Sequence, residues 1–136
     1  MSLNIYLDID GVLLINENYA APNADEFLQL VINKYPDSTF WLTTHCWNGD
    51  NRAVQVLSPH LDPKTVELLY KVKPTSWKVN KTEGIDFSRP FLWFDDDLWP
   101  EEKETLVRNK ALDNYTKVDL RENPDQLKKL LETLPA

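Results

Sequence analysis

Short apolar segments recur along the chain and predict the strands of a β-sheet. Mainly apolar runs of strand length lie at residues 3–7, 39–42 and 91–94. Because these runs are apolar at consecutive positions, they indicate strands that are buried on both faces. Two weaker segments, at residues 66–72 and 117–120, are assigned as further short strands.

Amphipathic segments between these strands predict helices. Helices are expected at residues 23–35, 51–57, 77–83, 100–109 and 124–134. Pro100 in a first turn is typical of a helix start, and Gly84 is typical of a helix end. Strands and helices therefore alternate, which predicts a three-layer α/β/α Rossmann-like fold with a mostly parallel sheet of about five strands.

Length and composition limit the classes of protein. A chain of 136 residues with 42% hydrophobic residues fits one domain over residues 1–136. The net charge of −7 makes stable binding to a nucleic acid backbone unfavourable. No apolar run has the length of a membrane span, the N-terminus lacks a signal pattern, and the single cysteine fits a reducing compartment. We therefore expect a cytoplasmic protein.

Polar residues directly follow the three clear strands. They are Asp8, Asp10 and Gly11 after the first strand, Thr43 and Thr44 after the second, and Asp95, Asp96 and Asp97 after the third. Since ligands of parallel sheets bind beyond the carboxyl ends of the strands, these groups are expected to converge. Crowded carboxylates oppose folding unless a cation compensates them, and oxygen ligands favour Mg²⁺ together with an anionic substrate.

These motifs resemble those of the haloacid dehalogenase (HAD) superfamily of phosphatases and phosphotransferases. The first HAD motif, DxDG, is matched by residues 8–11, the second by Thr43 in FWLTT, and the fourth by Asp95-Asp96 in FLWFDD. The third motif is a lysine at a helix start, for which Lys78 is assigned, with Lys81 and Lys73 as alternatives. The motif order matches over nearly the whole chain. The segment WLTTHCWNG adds a looser likeness to small HAD domains associated with RNA repair.

The resemblance implies a role for each matched residue. Asp8 is expected to be the nucleophile that forms an aspartyl-phosphate, and Asp10 the general acid and base. Thr43, or its neighbour Thr44, and Lys78 are expected to bind the phosphoryl group. The expected Mg²⁺ ligands are the Asp8 carboxylate, the Asp10 backbone carbonyl, Asp95 and Asp96. Three consecutive aspartates leave open which of Asp95, Asp96 and Asp97 binds the metal.

The lengths between the motifs imply a capless HAD domain. HAD enzymes often carry a cap, but residues 12–22 and 48–74 are too short for a folded one. The site is therefore expected to be open, which suits a large or protruding substrate, such as a nucleic acid with a terminal phosphate, or a partner subunit that acts as a lid. The resemblance leaves substrate, pathway and oligomeric state undetermined.

Alternative readings of the motifs belong to other functional classes. The chain is interpreted as a Mg²⁺-dependent phosphomonoester hydrolase. A phosphotransferase, or a non-catalytic HAD-like module that binds a phosphorylated ligand or a protein partner, would carry the same motifs.

Several other residues near the strand ends are candidates of lower specificity. His45 and Cys46 provide too few ligands for a zinc site, and we expect Cys46 to be a packing residue. Trp47, Trp77 and Trp99 either wall the pocket or pack in the core.

Overall fold

The structure, a computed structural model, describes residues 3–46 and 48–135, and within these residues the chain forms seven strands and five α-helices. The strands are β1 (Asn4–Leu7), β2 (Leu14–Asn16), β3 (Tyr19–Ala20), β4 (Thr39–Trp41), β5 (Lys73–Pro74), β6 (Phe91–Asp95) and β7 (Tyr115–Lys117). The helices are α1 (Ala24–Lys34), α2 (Ala53–Leu57), α3 (Pro63–Leu69), α4 (Pro100–Arg108) and α5 (Gln126–Thr133).

The central sheet confirms the predicted α/β architecture. Five strands run parallel in the order β5-β4-β1-β6-β7, and β2 and β3 form a separate antiparallel hairpin. That small hairpin follows β1, and only α2, α3 and short turns lie between β4 and β5. The described residues therefore contain no cap domain, as the motif spacing predicts. None of the described helices has the length and apolar character needed to cross a membrane.

Alternation along the strands divides the core between the two faces of the sheet. Ile5 and Leu7 of β1 pack in one cluster with side chains of α1, α2, α3 and α5. Tyr6 of β1 and Trp93 of β6 pack in a second cluster with Leu106 of α4 on the opposite face. Successive strand side chains point to opposite faces, so Asp95 shares the face of Trp93.

One strand prediction is wrong. Residues 66–72 were expected to form a strand, but helix α3 occupies Pro63–Leu69. The Asp25 carboxylate accepts hydrogen bonds from the Asp62 N–H (2.9 Å) and the Thr65 hydroxyl (2.6 Å), and so stabilises the start of this helix from outside it. The edge strand is instead the two-residue β5.

The helix prediction for residues 77–83 is also wrong, and this matters for the site. Only a 3₁₀ turn at Lys81–Gly84 forms there. The Glu83 carboxylate accepts the backbone N–H groups of Lys78 (3.2 Å), Val79 (3.2 Å) and Asn80 (2.8 Å). These donors are therefore satisfied outside a helix, and the turn begins four residues later than the predicted helix at residues 77–83 would. The last strand is likewise displaced, from residues 117–120 to Tyr115–Lys117.

Candidate active site

The register between β1 and β6 places two aspartates side by side. Leu7 pairs with Phe94 in this parallel ladder, so the next residues, Asp8 just after β1 and Asp95 at the end of β6, lie side by side at the carboxyl edge of the sheet. Both are buried, with 5% and 1% of their surfaces exposed. The sequence prediction that the strand ends bring these two residues together is confirmed.

Lys81 lies between these two carboxylates. Its Nζ donates a hydrogen bond to Asp95 Oδ2 at 2.7 Å and lies 3.4 Å from Asp8 Oδ1. The side chain is 16% exposed, so this contact is largely shielded from water. A lone charge at this depth would be strongly unfavourable, so removing one partner from this buried contact costs more stability than removing one partner from a surface ion pair.

The remaining contacts of Asp95 make it the structural centre of the site. Its Oδ2 also accepts from the Trp93 indole N–H at 3.2 Å. Its Oδ1 accepts the backbone N–H groups of Asp96 (2.8 Å) and Asp97 (3.3 Å), which fixes the turn that follows β6. Together with the hydrogen bond from Lys81, these three contacts hold the Asp95 carboxylate in one orientation.

The third carboxylate of the cluster comes from the more exposed Asp96. Carboxylate oxygens of Asp8, Asp95 and Asp96 all lie within 4.8 Å of one another. Gly11 makes room for Asp96: its φ is +78°, and a Cβ at this position would lie 2.8 Å from Asp96 Cβ. The glycine of the DxDG motif thus serves both a left-handed turn and a close approach between the two loops.

The pKa values of the carboxylates in the cluster are raised by burial and by the excess of negative charge. Burial, and next the charge of Asp8, raises the pKa of Asp95 to about 7. Burial, followed by contacts with Asp95, raises the pKa of Asp96 to about 6. Burial also raises the pKa of Asp8, although Lys81 opposes this shift. For Lys81, burial lowers the pKa but attraction by Asp8 and Asp95 outweighs it, so the ammonium form is favoured.

This donor set fits a divalent cation. When all four groups are ionised, Asp8, Asp95, Asp96 and Lys81 together carry a net charge of −2. Their oxygens are close enough to share one ion, and oxygen ligands of this kind suit Mg²⁺. The Asp10 carboxylate lies outside this group, so only its backbone carbonyl is left as the metal ligand assigned from the sequence.

Asp10 instead has a partner that the sequence reasoning missed. The His45 ring Nε2 lies 3.0 Å from Asp10 Oδ2, and the Asp10 side chain is 62% exposed. His45 sits in a 3₁₀ turn after β4 and reaches across to the loop after β1. Adjacent Cys46 is fully buried, as expected for a packing residue, and burial raises the pKa of its thiol. Nothing in the local sequence separates His45 from an ordinary loop residue.

The doubled threonine divides into one buried and one cavity-facing residue. Thr43 is fully buried, and its hydroxyl oxygen accepts a long hydrogen bond of 3.4 Å from the His45 N–H. Thr44 is exposed and lines the cavity together with Asp8 and Asp10. The structure therefore places Thr44 at the site, with Thr43 beneath it.

The lysine assigned from the sequence is not the one that reaches the cluster. Lys78 is exposed and lies outside the cavity, whereas Lys81 lines it. Lys73 donates a hydrogen bond of 3.3 Å to the backbone carbonyl of Asp37. Asp37 precedes β4, so this contact lies at the amino edge of the sheet, away from the cluster. The error follows from the expected helix at residues 77–83. The Asn80 to Glu83 spacing, which is typical of a capped turn, was the signal for Lys81.

Glu102 is a second residue that sequence reasoning did not assign to the site. This buried carboxylate of α4 accepts the Lys81 backbone N–H at 2.7 Å through Oε2 and the Trp99 backbone N–H at 3.0 Å through Oε1. It therefore joins the turn that carries Lys81 to the loop that follows β6. Its position in a first helical turn gave no sign of this bridging contact.

Two adjoining cavities open at the carboxyl edge of the sheet. The first, of about 400 Å³, is lined by Asp8, Lys81 and the acidic loop, and also by Trp77, Val79 and Trp99. The second, of about 710 Å³, extends past Asp10 towards Lys117 and Arg121. Two of the predicted wall residues, Trp77 and Trp99, thus line a cavity, and Trp47 lies outside the described residues.

Comparison with known proteins gave no match: no family model, no curated protein and no solved structure matches the chain. The sequence motifs and the geometry of the site therefore carry the functional proposal.

Proposed function

We propose that the protein is a Mg²⁺-dependent phosphomonoester hydrolase of the HAD type that acts through an aspartyl-phosphate. One observation carries the proposal: the Asp8 carboxylate is buried at a strand end beside both an ammonium group, Lys81, and two further carboxylates, Asp95 and Asp96. An oxygen nucleophile, a fixed cation and a set of metal ligands in one cavity are the parts that phosphoryl transfer requires.

The first half of the reaction uses Asp8 and Asp10. An Asp8 carboxylate oxygen forms a bond to phosphorus while the bond from phosphorus to the ester oxygen breaks. Protonated Asp10, which lines the same cavity, gives its proton to the departing oxygen. Asp8 is then an acyl phosphate, Asp10 is ionised, and the alcohol leaves.

The second half of the reaction regenerates both groups. Ionised Asp10 takes a proton from a water molecule, whose oxygen attacks the phosphorus of the acyl phosphate. The bond between phosphorus and the Asp8 oxygen breaks, and phosphate departs. The high exposure of the Asp10 side chain supports this role, because the attacking water must reach it.

Lys81 and Thr44 would stabilise the transferred group. The Lys81 ammonium neutralises charge on the phosphoryl oxygens, and the Thr44 hydroxyl donates a hydrogen bond to one of them. Asp8, Asp95 and Asp96 would hold Mg²⁺, with the Asp10 carbonyl. When bound, Mg²⁺ supplies positive charge that stabilises the oxygens of the group in transfer.

The proposal is tested with a panel of phosphomonoesters assayed with and without Mg²⁺. The panel includes sugar phosphates, nucleotides, aryl phosphates and oligonucleotides with a terminal phosphate. Release of phosphate that requires Mg²⁺ and is lost in Asp8→Asn supports the proposal. Binding of Mg²⁺ and of a phosphorylated ligand without turnover of any ester would instead identify a binding module, and transfer to an acceptor other than water would identify a phosphotransferase.

A further inference from the structure

The cavity that contains Lys81 is lined by apolar and aromatic side chains as well as by charged ones. Trp77, Val79 and Trp99 are its apolar lining residues, which we call the aromatic wall. Val79 is 68% exposed and Trp99 is 54% exposed. Large apolar side chains left in water beside a cavity are typical of a surface that binds a ligand.

The aromatic wall is held in place before any ligand binds. The Trp99 indole N–H donates to Asp97 Oδ2 at 3.2 Å, which fixes the orientation of the ring. Glu102 accepts one backbone N–H from Trp99 and one from Lys81, and so sets the distance between the wall and the cation. A wall that is already ordered binds a ligand with a smaller entropic cost.

The Trp99 ring of the wall is available for stacking, whereas the partly buried Trp77 ring packs against the core cluster that contains Tyr6 and Trp93. Among the described residues, the close pairs of aromatic rings are formed by other side chains: Tyr6, Phe27, Phe40, Phe87, Phe91, Trp93, Phe94 and Tyr115. The face of an indole ring binds flat π systems better than it binds aliphatic groups of equal size.

The position of the wall relative to Lys81 identifies what it would contact. In the proposed reaction the phosphate lies at Lys81, so the group esterified to that phosphate would extend into the same cavity, where Trp99 exposes its ring. Carboxylates of Asp10 and Asp97 line the same cavity, which disfavours a second negative charge on that group.

We propose that the cavity selects phosphomonoesters whose leaving group carries an uncharged planar aromatic ring, and that this ring stacks on Trp99. The inference rests on the proposed function, because it takes the reacting phosphate to lie at Lys81. A nucleobase and a phenyl ring both offer this chemistry, and binding measurements distinguish them.

The test measures the affinity of phosphonates that cannot be hydrolysed, in the presence of Mg²⁺, by isothermal titration calorimetry. Benzylphosphonate is compared with cyclohexylmethylphosphonate, which has a ring of similar size without a π face. The phosphonate analogue of adenosine 5′-monophosphate is the third ligand. We expect the aromatic ligands to bind more tightly than the cyclohexyl ligand, and Trp99→Ala to weaken them about tenfold, in the range of stacking on one aromatic side chain.

Two variants serve as controls. Trp99→Phe keeps a ring but loses the hydrogen bond to Asp97, so it retains the aromatic preference if stacking is the cause. Tyr70→Ala removes another aromatic side chain, 72% exposed and outside the cavity, and leaves all three affinities unchanged. Tighter binding of the adenosine ligand than of benzylphosphonate identifies a nucleobase as the group recognised; the reverse order identifies a phenyl ring.

Equal affinities for the benzyl and cyclohexylmethyl ligands overturn the inference, and so does a folded Trp99→Ala variant that binds all three as the wild type does. Turnover of esters without aromatic preference overturns the inference and leaves the phosphatase proposal standing. Aromatic preference without turnover of any ester keeps the binding site and overturns the phosphatase proposal.

Discussion

The Lys81 ammonium lies 2.7 Å from Asp95 Oδ2, in a pocket that leaves only 16% of the lysine side chain exposed. Asp8 Oδ1 is 3.4 Å from the same nitrogen. The cation therefore belongs to the cluster that contains the proposed nucleophile. It offsets part of the charge that would otherwise keep buried carboxylates apart.

Lys81→Met is expected to lower kcat/KM by about 10²–10³ for any phosphomonoester that the protein hydrolyses. This is the usual loss when a hydrogen-bond donor that stabilises the charge of the transition state is removed. Lys78→Met is the matched control, since Lys78 has an exposed side chain outside the cavity. Steady-state kinetics on purified, folded variants makes the comparison. Similar losses in both variants, or a loss in Lys78→Met alone, would show that the third-motif lysine is misplaced.

The raised pKa values of Asp95 and Asp96, about 7 and about 6, predict how stability depends on pH without Mg²⁺. Between the unfolded pKa of 3.8 and these folded values, the folded protein holds protons that the unfolded chain has released. The stabilisation is thus complete below 3.8 and is lost as pH rises towards 7. We expect the free energy of unfolding to increase on acidification from about pH 7.5 to about pH 5.5.

Mg²⁺ should act on the same carboxylates with the opposite pH dependence. The ion binds their ionised form, so it raises Tm by mass action and does so more strongly at the upper end of this pH range. Thermal unfolding with and without Mg²⁺ across the range measures both effects. A metal-free protein that loses stability on acidification here, or a Tm gain independent of pH, contradicts the assigned cluster.

Gly11→Ala is expected to destabilise the fold more than Gly49→Ala does. Both glycines have positive φ, +78° and +88°, so alanine is strained by about 1–2 kcal/mol at each. Only at Gly11 would the new Cβ also collide with the Asp96 side chain; at Gly49 no neighbour lies within 4 Å. Gly11→Ala should therefore also reduce the Tm gain from Mg²⁺. Denaturant unfolding of both variants measures the loss of stability, and thermal unfolding with and without Mg²⁺ measures the Tm gain. Equal losses of stability in the two variants would argue against the close contact.

We expect substitutions of Asp10 and of His45 to affect the same step, which is proton transfer to the leaving group. Asp10→Asn removes proton transfer, typically worth ~10²–10⁴ in rate, and the loss should be largest for alkyl esters. It should shrink for p-nitrophenyl phosphate, whose leaving group departs without a proton. His45→Ala releases the Asp10 carboxylate, so it should show a smaller loss with the same dependence on the leaving group.

The conservative variant His45→Gln retains a side-chain N–H and is expected to recover most of the rate. Comparing kcat for an alkyl and a p-nitrophenyl ester in each variant provides the measurement. If His45→Ala slows both esters equally, the histidine supports the local fold and does not position Asp10.

The parts of this site that the sequence predicts are those specified by strand ends. The apolar runs at residues 3–7 and 91–94 are shorter than most buried helices, which favours buried strands, and the aspartates that follow parallel strands meet at one edge of the sheet. Asp8 and Asp95 were therefore predictable from the order of apolar and acidic residues alone.

The parts that escaped prediction depend on contacts between distant segments. The contacts that stabilise the start of α3 come from Asp25 in another helix. The local pattern of residues 66–72 does not reveal these contacts, and it resembles that of a strand. Glu102 and His45 act through partners 21 and 35 residues away in sequence. Lys78 was assigned in place of Lys81 because the predicted helix begins at residue 77, four residues before the turn that forms at Lys81–Gly84.

The proposed mechanism depends above all on Asp8 as the nucleophile. The most direct measurement is mass spectrometry of peptides from wild-type protein quenched in acid during turnover of a phosphomonoester. In the wild type we expect a phosphoryl group on Asp8 that hydroxylamine removes. In a folded Asp8→Asn variant we expect neither phosphorylation nor turnover. Wild-type turnover in Asp8→Asn, or a phosphoryl group trapped on a different residue, would contradict this mechanism.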